Sequence, residues 1–208
     1  MIAIIDYGVG NLFSLKSSFR AIGEEAVVTS DPDVIRAADR VVLPGVGAFE
    51  DAARKLRESG MAEVVLREAR EGKPLLGICL GMQMLFERSY EYGEHEGLGL
   101  IPGSVRPIKE AHDRVGISLK IPQIGWNALD FGGRQSELWK YIKEGDYVYF
   151  VHSFYGADCD ASVIATTEYG VPLTAAVQNG NVYGTQFHPE KSGNVGLSIL
   201  RAFCEIGG

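Results

Sequence analysis

The chain has 208 residues, 46% of them hydrophobic and 23% charged, with a formal net charge of -7; this suits one α/β domain over residues 1–208. The acidic balance repels phosphate backbones and argues against nucleic-acid binding, and no apolar run nears the roughly 18 residues of a membrane span. Three scattered cysteines, Cys79, Cys159 and Cys204, show neither a disulfide framework nor metal-ligand spacing, so a cytoplasmic protein without metal or cofactor is expected.

The first half alternates strand and helix. "IAIID" reads as a short strand, then "YGVGN" as a glycine-rich turn, then a helix from Leu12 to about Ile22 with Asn11 as cap and Gly23 as stop. "AVVTS" and "RVVLPG" are the next strands, with a short acidic helix between them. "AFEDAARKLRES" and "MAEVVLREAREG" are helical, each closed by glycine, and "PLLGI" is a buried strand. This alternation predicts an open, mostly parallel sheet with helices on both faces.

After Gly93 the texture becomes β-rich, in "LGLIPGSVRPI", "DYVYFVHSFYG", "ASVIATTEYG" and "TAAVQNGNVYGTQF". Turn signals such as "NGN" predict antiparallel strands added to the sheet. "HPEKSGNVGLSILRAFCEI" closes the chain as a loop and an amphipathic helix. Between the β-rich segments, "KEAHDRVGISLK" (109–120) reads as a polar, mobile insert.

At "KPLLGICLGMQMLFE" a cysteine stands between two glycines where strand turns into helix. Gly77-Ile78-Cys79-Leu80-Gly81 has the spacing of a nucleophile elbow. Such a turn strains the nucleophile's backbone and brings neighbouring residues into collision, which glycine avoids. A helix N-terminus also favours the thiolate form of a cysteine. Cys79 is therefore the candidate nucleophile, with the Leu80 N–H as an oxyanion donor.

A thiolate nucleophile needs a histidine to move protons. His95 and His112 lie in charged stretches and read as solvated surface, while His152 follows "YVYFV" and can be a satisfied strand-end residue. His188 ends "VYGTQF" and is followed by Pro189 and Glu190. A carboxylate two residues on can fix the ring's tautomer, the orienting role in triad logic.

Three blocks together, Pro44-Gly45-Val46-Gly47, Gly77 to Gln83 and His188-Pro189-Glu190, resemble the class I (triad-type) glutamine amidotransferases. Within that class "IIDYGVGNLFSL", "LPGVGAF", "IGWN", "YFVHSFY" and "FHPEKSG" resemble the glutaminase subunits of imidazole glycerol phosphate synthase. The resemblance implies a flavodoxin-like fold and hydrolysis of glutamine to glutamate and ammonia through a Cys79 thioester. His188 would be base and acid, and Glu190 its orienter. The oxyanion hole would be Leu80 with the Val46–Gly47 turn, where a peptide can reorient.

The same resemblance puts Gln83, Glu91 and the segment His152-Ser153-Phe154 on the glutamine. Glu91 would hold the ammonium, and 152–154 the α-carboxylate. It also implies a separate (β/α)8 barrel, the cyclase subunit, as partner and receiver of the ammonia. Asn11, Ser14, Trp126 and Lys191 would face that partner. Gln123 stands where relatives often carry histidine, and Cys204 reads as core.

Other readings fit less well. Cysteine hydrolases and chaperones with a similar elbow carry histidine directly after the cysteine, where this chain has Leu80. A dinucleotide fingerprint would need glycine where Phe13 stands. A noncatalytic scaffold subunit would not need the triad.

Overall fold

The computed structural model describes residues 1–207. In chain order the first half comprises β1 (Ile2–Ile5), α1 (Leu12–Ala21), β2 (Ala26–Thr29), α2 (Pro32–Ala37), β3 (Arg40–Leu43), α3 (Phe49–Glu58), α4 (Met61–Arg70) and β4 (Leu75–Ile78). A short helix α5 (Leu80–Met84) leads to β5 (Phe86–Ser89), β6 (His95–Glu96), β7 (Ile101–Pro107), α6 (Ile108–Val115) and β8 (Gln123–Ala128). The remainder is β9 (Tyr147–His152), β10 (Phe154–Ala157), β11 (Val163–Glu168), β12 (Pro172–Asn179), β13 (Val182–Thr185) and α7 (Gly193–Cys204).

Seven strands form the main sheet in the order β11-β12-β13-β4-β3-β1-β2. The five from β13 to β2 are parallel, and β12 and β11 add antiparallel beyond β13. The strands alternate their side chains between two cores, as a period of two requires. Ala3, Ile5, Val41 and Leu43 join Phe49, Leu56 and Val65 of α3 and α4 on one face. Ile2, Ile4, Val42 and Leu76 join Phe19 of α1 and Leu200 and Phe203 of α7 on the other. Helices thus cover both faces, and the "NGN" turn sits between β12 and β13 as the sequence suggests.

Smaller sheets β10-β7-β5-β6 and β8-β9 complete the β-rich half. The elbow helix α5 ends after five residues, and strand β5 follows almost at once. Two further expectations are corrected. Asn11 precedes α1 without a side-chain cap; its ψ of 66° lies outside the extended range in which a cap side chain folds back. The 109–120 segment is no mobile polar insert over its first part. Ile108, Ala111 and His112, spaced as one helical face, are buried in α6. His112 is therefore not solvated surface: its Nε2 pairs with the Tyr169 carbonyl at 2.7 Å.

One buried ion pair ties α2, α4 and the approach to β4 together. Lys73 Nζ lies 2.7 Å from Glu68 Oε2 and donates to the carbonyls of Ile35 and Arg36 at 3.0 and 2.7 Å. Glu68 is almost fully buried. Lys73→Met leaves that carboxylate with only the half-exposed Arg67 beside it and strips the α2 carbonyls of a donor. The expected loss is about 3 kcal/mol, read as a lowered urea midpoint with an unchanged denaturant slope.

Candidate active site

The carboxyl ends of the parallel strands are where an open α/β sheet builds its sites. Strand β4 ends at Ile78, and Cys79 follows with φ 54° and ψ -111°, a conformation L-residues rarely hold. Two backbone bonds pin it, Cys79 N to the Thr185 carbonyl at 2.7 Å and Gln83 N to the Cys79 carbonyl at 3.1 Å. The flanking glycines have separate reasons. A Cβ on Gly77 would press on Met82, Gly81 and Leu85 of the following turn, and one on Gly81 would overlap the Leu43 carbonyl oxygen at the end of β3. A Cβ on Gly45 would come within 2.7 Å of Gly81 N and 3.0 Å of Leu80 Cβ. The "PGVG" turn is thereby packed backbone to backbone against the elbow.

Strand β13 pairs in parallel with β4, Thr185 opposite Ile78, so the residues that follow it arrive beside Cys79. His188 Nδ1 lies 2.8 Å from Glu190 Oε1, and both side chains are buried. Burial opposes a charge on His188, but hydrogen bonding to the Cys79 sulfur and to Glu190, together with their negative charge, pushes it up to about 9. The surroundings of the ring thus favour its protonated form.

These groups open into a cavity of about 330 Å³. Val46, Gly47, Cys79, Leu80, Gln83, Glu91, His152, Ser153, Phe154, His188 and Lys191 all line it. The expected oxyanion and glutamine-contacting residues line this cavity together with Cys79 and His188, and Glu190 lies behind the ring of His188. Among the described residues no group of His, Cys, Asp and Glu is arranged to hold a metal.

The expected substrate contacts acquire detail. Glu91 follows β5 rather than α5; its Oε2 accepts from Phe49 N at 2.7 Å, and burial raises its pKa, partly offset by that bond and by His95. Gln83 donates from Nε2 to the Phe154 carbonyl at 3.1 Å and to Gln186 Oε1 at 3.0 Å. Its two N–H groups are used, so its oxygen is what the cavity receives. Burial, and secondarily the charge on His188, depress His152 to about 4 despite the Phe154 carbonyl, so its ring is neutral. It reaches the Phe154 carbonyl from Nδ1 and Gln123 Oε1 from Nε2, at 2.8 and 2.9 Å. A neutral ring has one N–H and serves one of these acceptors at a time.

Gln123 is thus part of the wall's support and fully buried. Sequence reasoning also passed over Tyr7, whose hydroxyl donates to the Pro44 carbonyl at 2.7 Å and anchors the "PGVG" turn, Gln186 in the "TQF" before His188, and Tyr92. Tyr92 lines the cavity with a φ of 52° and meets Phe154 edge-on. Trp126 is half exposed and Lys191 exposed, while Asn11 and Ser14 are partly buried at the start of α1.

The family model for class-I glutamine amidotransferases matches residues 3–206. The chain belongs to the class I glutamine amidotransferases. Among relatives of this class it is 49% identical over 208 residues to the imidazole glycerol phosphate synthase subunit HisH of Wolinella succinogenes, covering all of both chains. It is 50% identical to the HisH subunits of Geobacter sulfurreducens, with 99% of this chain and 98% of that one covered, and of Methanothermobacter thermautotrophicus, with the same coverage. The amidotransferase fold recurs in solved structures at 20% identity. One is a crystal structure of glutamine amidotransferase (TM-score 0.74, 99% and 98% covered), another PurLQS from Thermotoga maritima (0.73, 98% and 96%).

Proposed function

We propose that this amidotransferase is the glutaminase subunit of an imidazole glycerol phosphate synthase. It hydrolyses glutamine at Cys79 and passes the ammonia to a cyclase (β/α)8 barrel subunit that makes imidazole glycerol phosphate and an aminoimidazole carboxamide ribotide. The observation that carries this reading is the elbow cysteine held beside a paired His188–Glu190 in a chain about half identical, end to end, to HisH subunits.

In this reading the Cys79 thiolate attacks the side-chain amide carbon of glutamine. Negative charge moves to the carbonyl oxygen, which the Leu80 N–H and the Val46–Gly47 turn receive. The imidazolium of His188 gives its proton to the departing nitrogen, ammonia leaves, and a glutamyl thioester remains. The now neutral ring takes a proton from water, whose oxygen attacks the thioester, and glutamate leaves as the thiolate is restored. Glu190 keeps Nδ1 engaged throughout, so the other ring nitrogen does both transfers. Glu91 meets the substrate ammonium, and 152–154 its α-carboxylate.

The test is glutamate release by the purified chain, alone and with its ligand-loaded barrel. Strong dependence on the barrel is expected; activity only with a different synthase would move the chain to another pathway. No helix among the described residues is long and apolar enough to cross a membrane, which suits a cytoplasmic complex. Asn11, Ser14, Trp126 and Lys191 belong to the docking face, with Trp126 as its anchor. Trp126→Ala is expected to weaken barrel binding by about 2 kcal/mol, some thirtyfold in Kd, while Cys79 keeps its reactivity. An unchanged Kd by titration calorimetry would remove Trp126 from the interface.

A further inference from the structure

Gln186 is fully buried at the end of β13, with its backbone N–H held by the Ala175 carbonyl at 2.8 Å. Its side chain lies between two functional groups: Oε1 accepts from Gln83 Nε2 at 3.0 Å, and Nε2 lies 3.8 Å from the Cys79 sulfur. Amide oxygen and nitrogen are told apart by their partners, and here a backbone group decides. The Phe154 carbonyl can only accept, so the end of Gln83 that faces it must be the NH2. That NH2 also faces Gln186, whose near atom must then be oxygen. The far end of Gln186, directed at the sulfur, is therefore an N–H donor.

We infer that Gln186 is a catalytic hydrogen-bond donor to the Cys79 sulfur, holding and stabilising the thiolate. The chain Phe154 carbonyl–Gln83–Gln186–sulfur has one polarity, imposed from its backbone end. A sulfur that accepts from Gln186 is held as an acceptor, the role that suits a thiolate. The same chain begins on the wall expected to meet the substrate α-carboxylate, so movement of that wall would be felt at the nucleophile. This inference rests on Cys79 being the nucleophile.

Iodoacetamide alkylation of Cys79 in the full chain, followed by mass spectrometry of its peptide from pH 5 to 10, tests it without using turnover. Burial pushes the Cys159 and Cys204 thiols up to about 11 and about 12, so both are slow background. The titratable groups facing the sulfur are Tyr7 from the turn after β1, and His188 with Glu190 after β13. His152 of β9, Glu91 and Lys191 stand around the cavity; all are retained in the variants.

Gln186→Met keeps the length and removes the donor. Alkylation near neutral pH is expected to slow about tenfold, with the midpoint about one pH unit higher and the alkaline plateau unchanged. Gln186→Glu keeps the shape and the bond from Gln83 but places a carboxylate against the sulfur, so its midpoint should move at least as far. It decides the matter if the methionine variant does not fold. A folded variant whose profile superimposes on the parent's overturns the inference, as does a uniform drop that includes the plateau. Failure of the nucleophile assignment shows differently, as glutamine hydrolysis surviving Cys79→Ala.

Discussion

Cys79→Ala is expected to lower glutamine hydrolysis by about a thousandfold or more, with or without the barrel subunit. On the proposed mechanism Cys79 forms the acyl intermediate, and removal of a nucleophile is among the costliest substitutions an active site can suffer. The variant should remain folded, because alanine fits the space of the thiol and the backbone bonds to Thr185 and Gln83 persist. A second substitution separates chemistry from strain. At φ 54° a non-glycine residue costs roughly 1–2 kcal/mol, so Cys79→Gly should be equally inactive yet about 1 kcal/mol more stable than Cys79→Ala in urea. An alanine variant retaining more than a hundredth of parental glutamate release would displace Cys79 from its role. Equal stability of the two variants would mean that the elbow stores no strain.

Gly81→Ala should damage both stability and activity. The obstacle is space and not backbone angle, since Gly81 has no positive φ. An added Cβ would overlap the Leu43 carbonyl oxygen, a backbone group in a central strand, and lie near the Pro44 carbonyl carbon. Relief requires α5 to move off β3, carrying Cys79 and the "PGVG" turn with it. The expected cost is about 3 kcal/mol or more, with turnover falling beyond what the lost folded fraction explains. Urea unfolding beside single-turnover glutamate formation would check both parts. A parental midpoint would show that the carbonyl can yield. Gly60→Ala, at a positive φ of 75° with open space around it, should cost about 1 kcal/mol and leave turnover unchanged.

The parallel sheet and the elbow were legible because their causes are local. Apolar runs of four or five residues between glycine-closed helices mark buried parallel strands, and Gly77 and Gly81 mark a crowded turn. The family resemblance carried Glu91 and 152–154 into the cavity, which no spacing could have done. What escaped were side chains defined by tertiary partners. Gln186 drew no notice, and Gln123 only as a departure from relatives that carry histidine; their burial follows only once β13 lies beside β4 and β8 beside β9. His112 was misjudged from its charged neighbours Glu110, Asp113 and Arg114, although Ile108 and Ala111 at helical spacing carried the signal. The missing Asn11 cap shows the reverse: a suitable residue type does not fix the backbone angles a cap requires.

The pairing of Thr185 with Ile78 has a consequence for how such an enzyme can change. Cys79 and His188 hang from adjacent strands in the interior of the sheet, so their separation is gauged by a ladder repeat of about 4.8 Å. Drift in the outer helices leaves that gauge alone. His152, Ser153 and Phe154, which also line the cavity, belong to β9, the turn after it and β10, outside the main sheet. Descendants of this scaffold can therefore exchange their outer surfaces while the alignment of Cys79 with His188 is inherited unaltered.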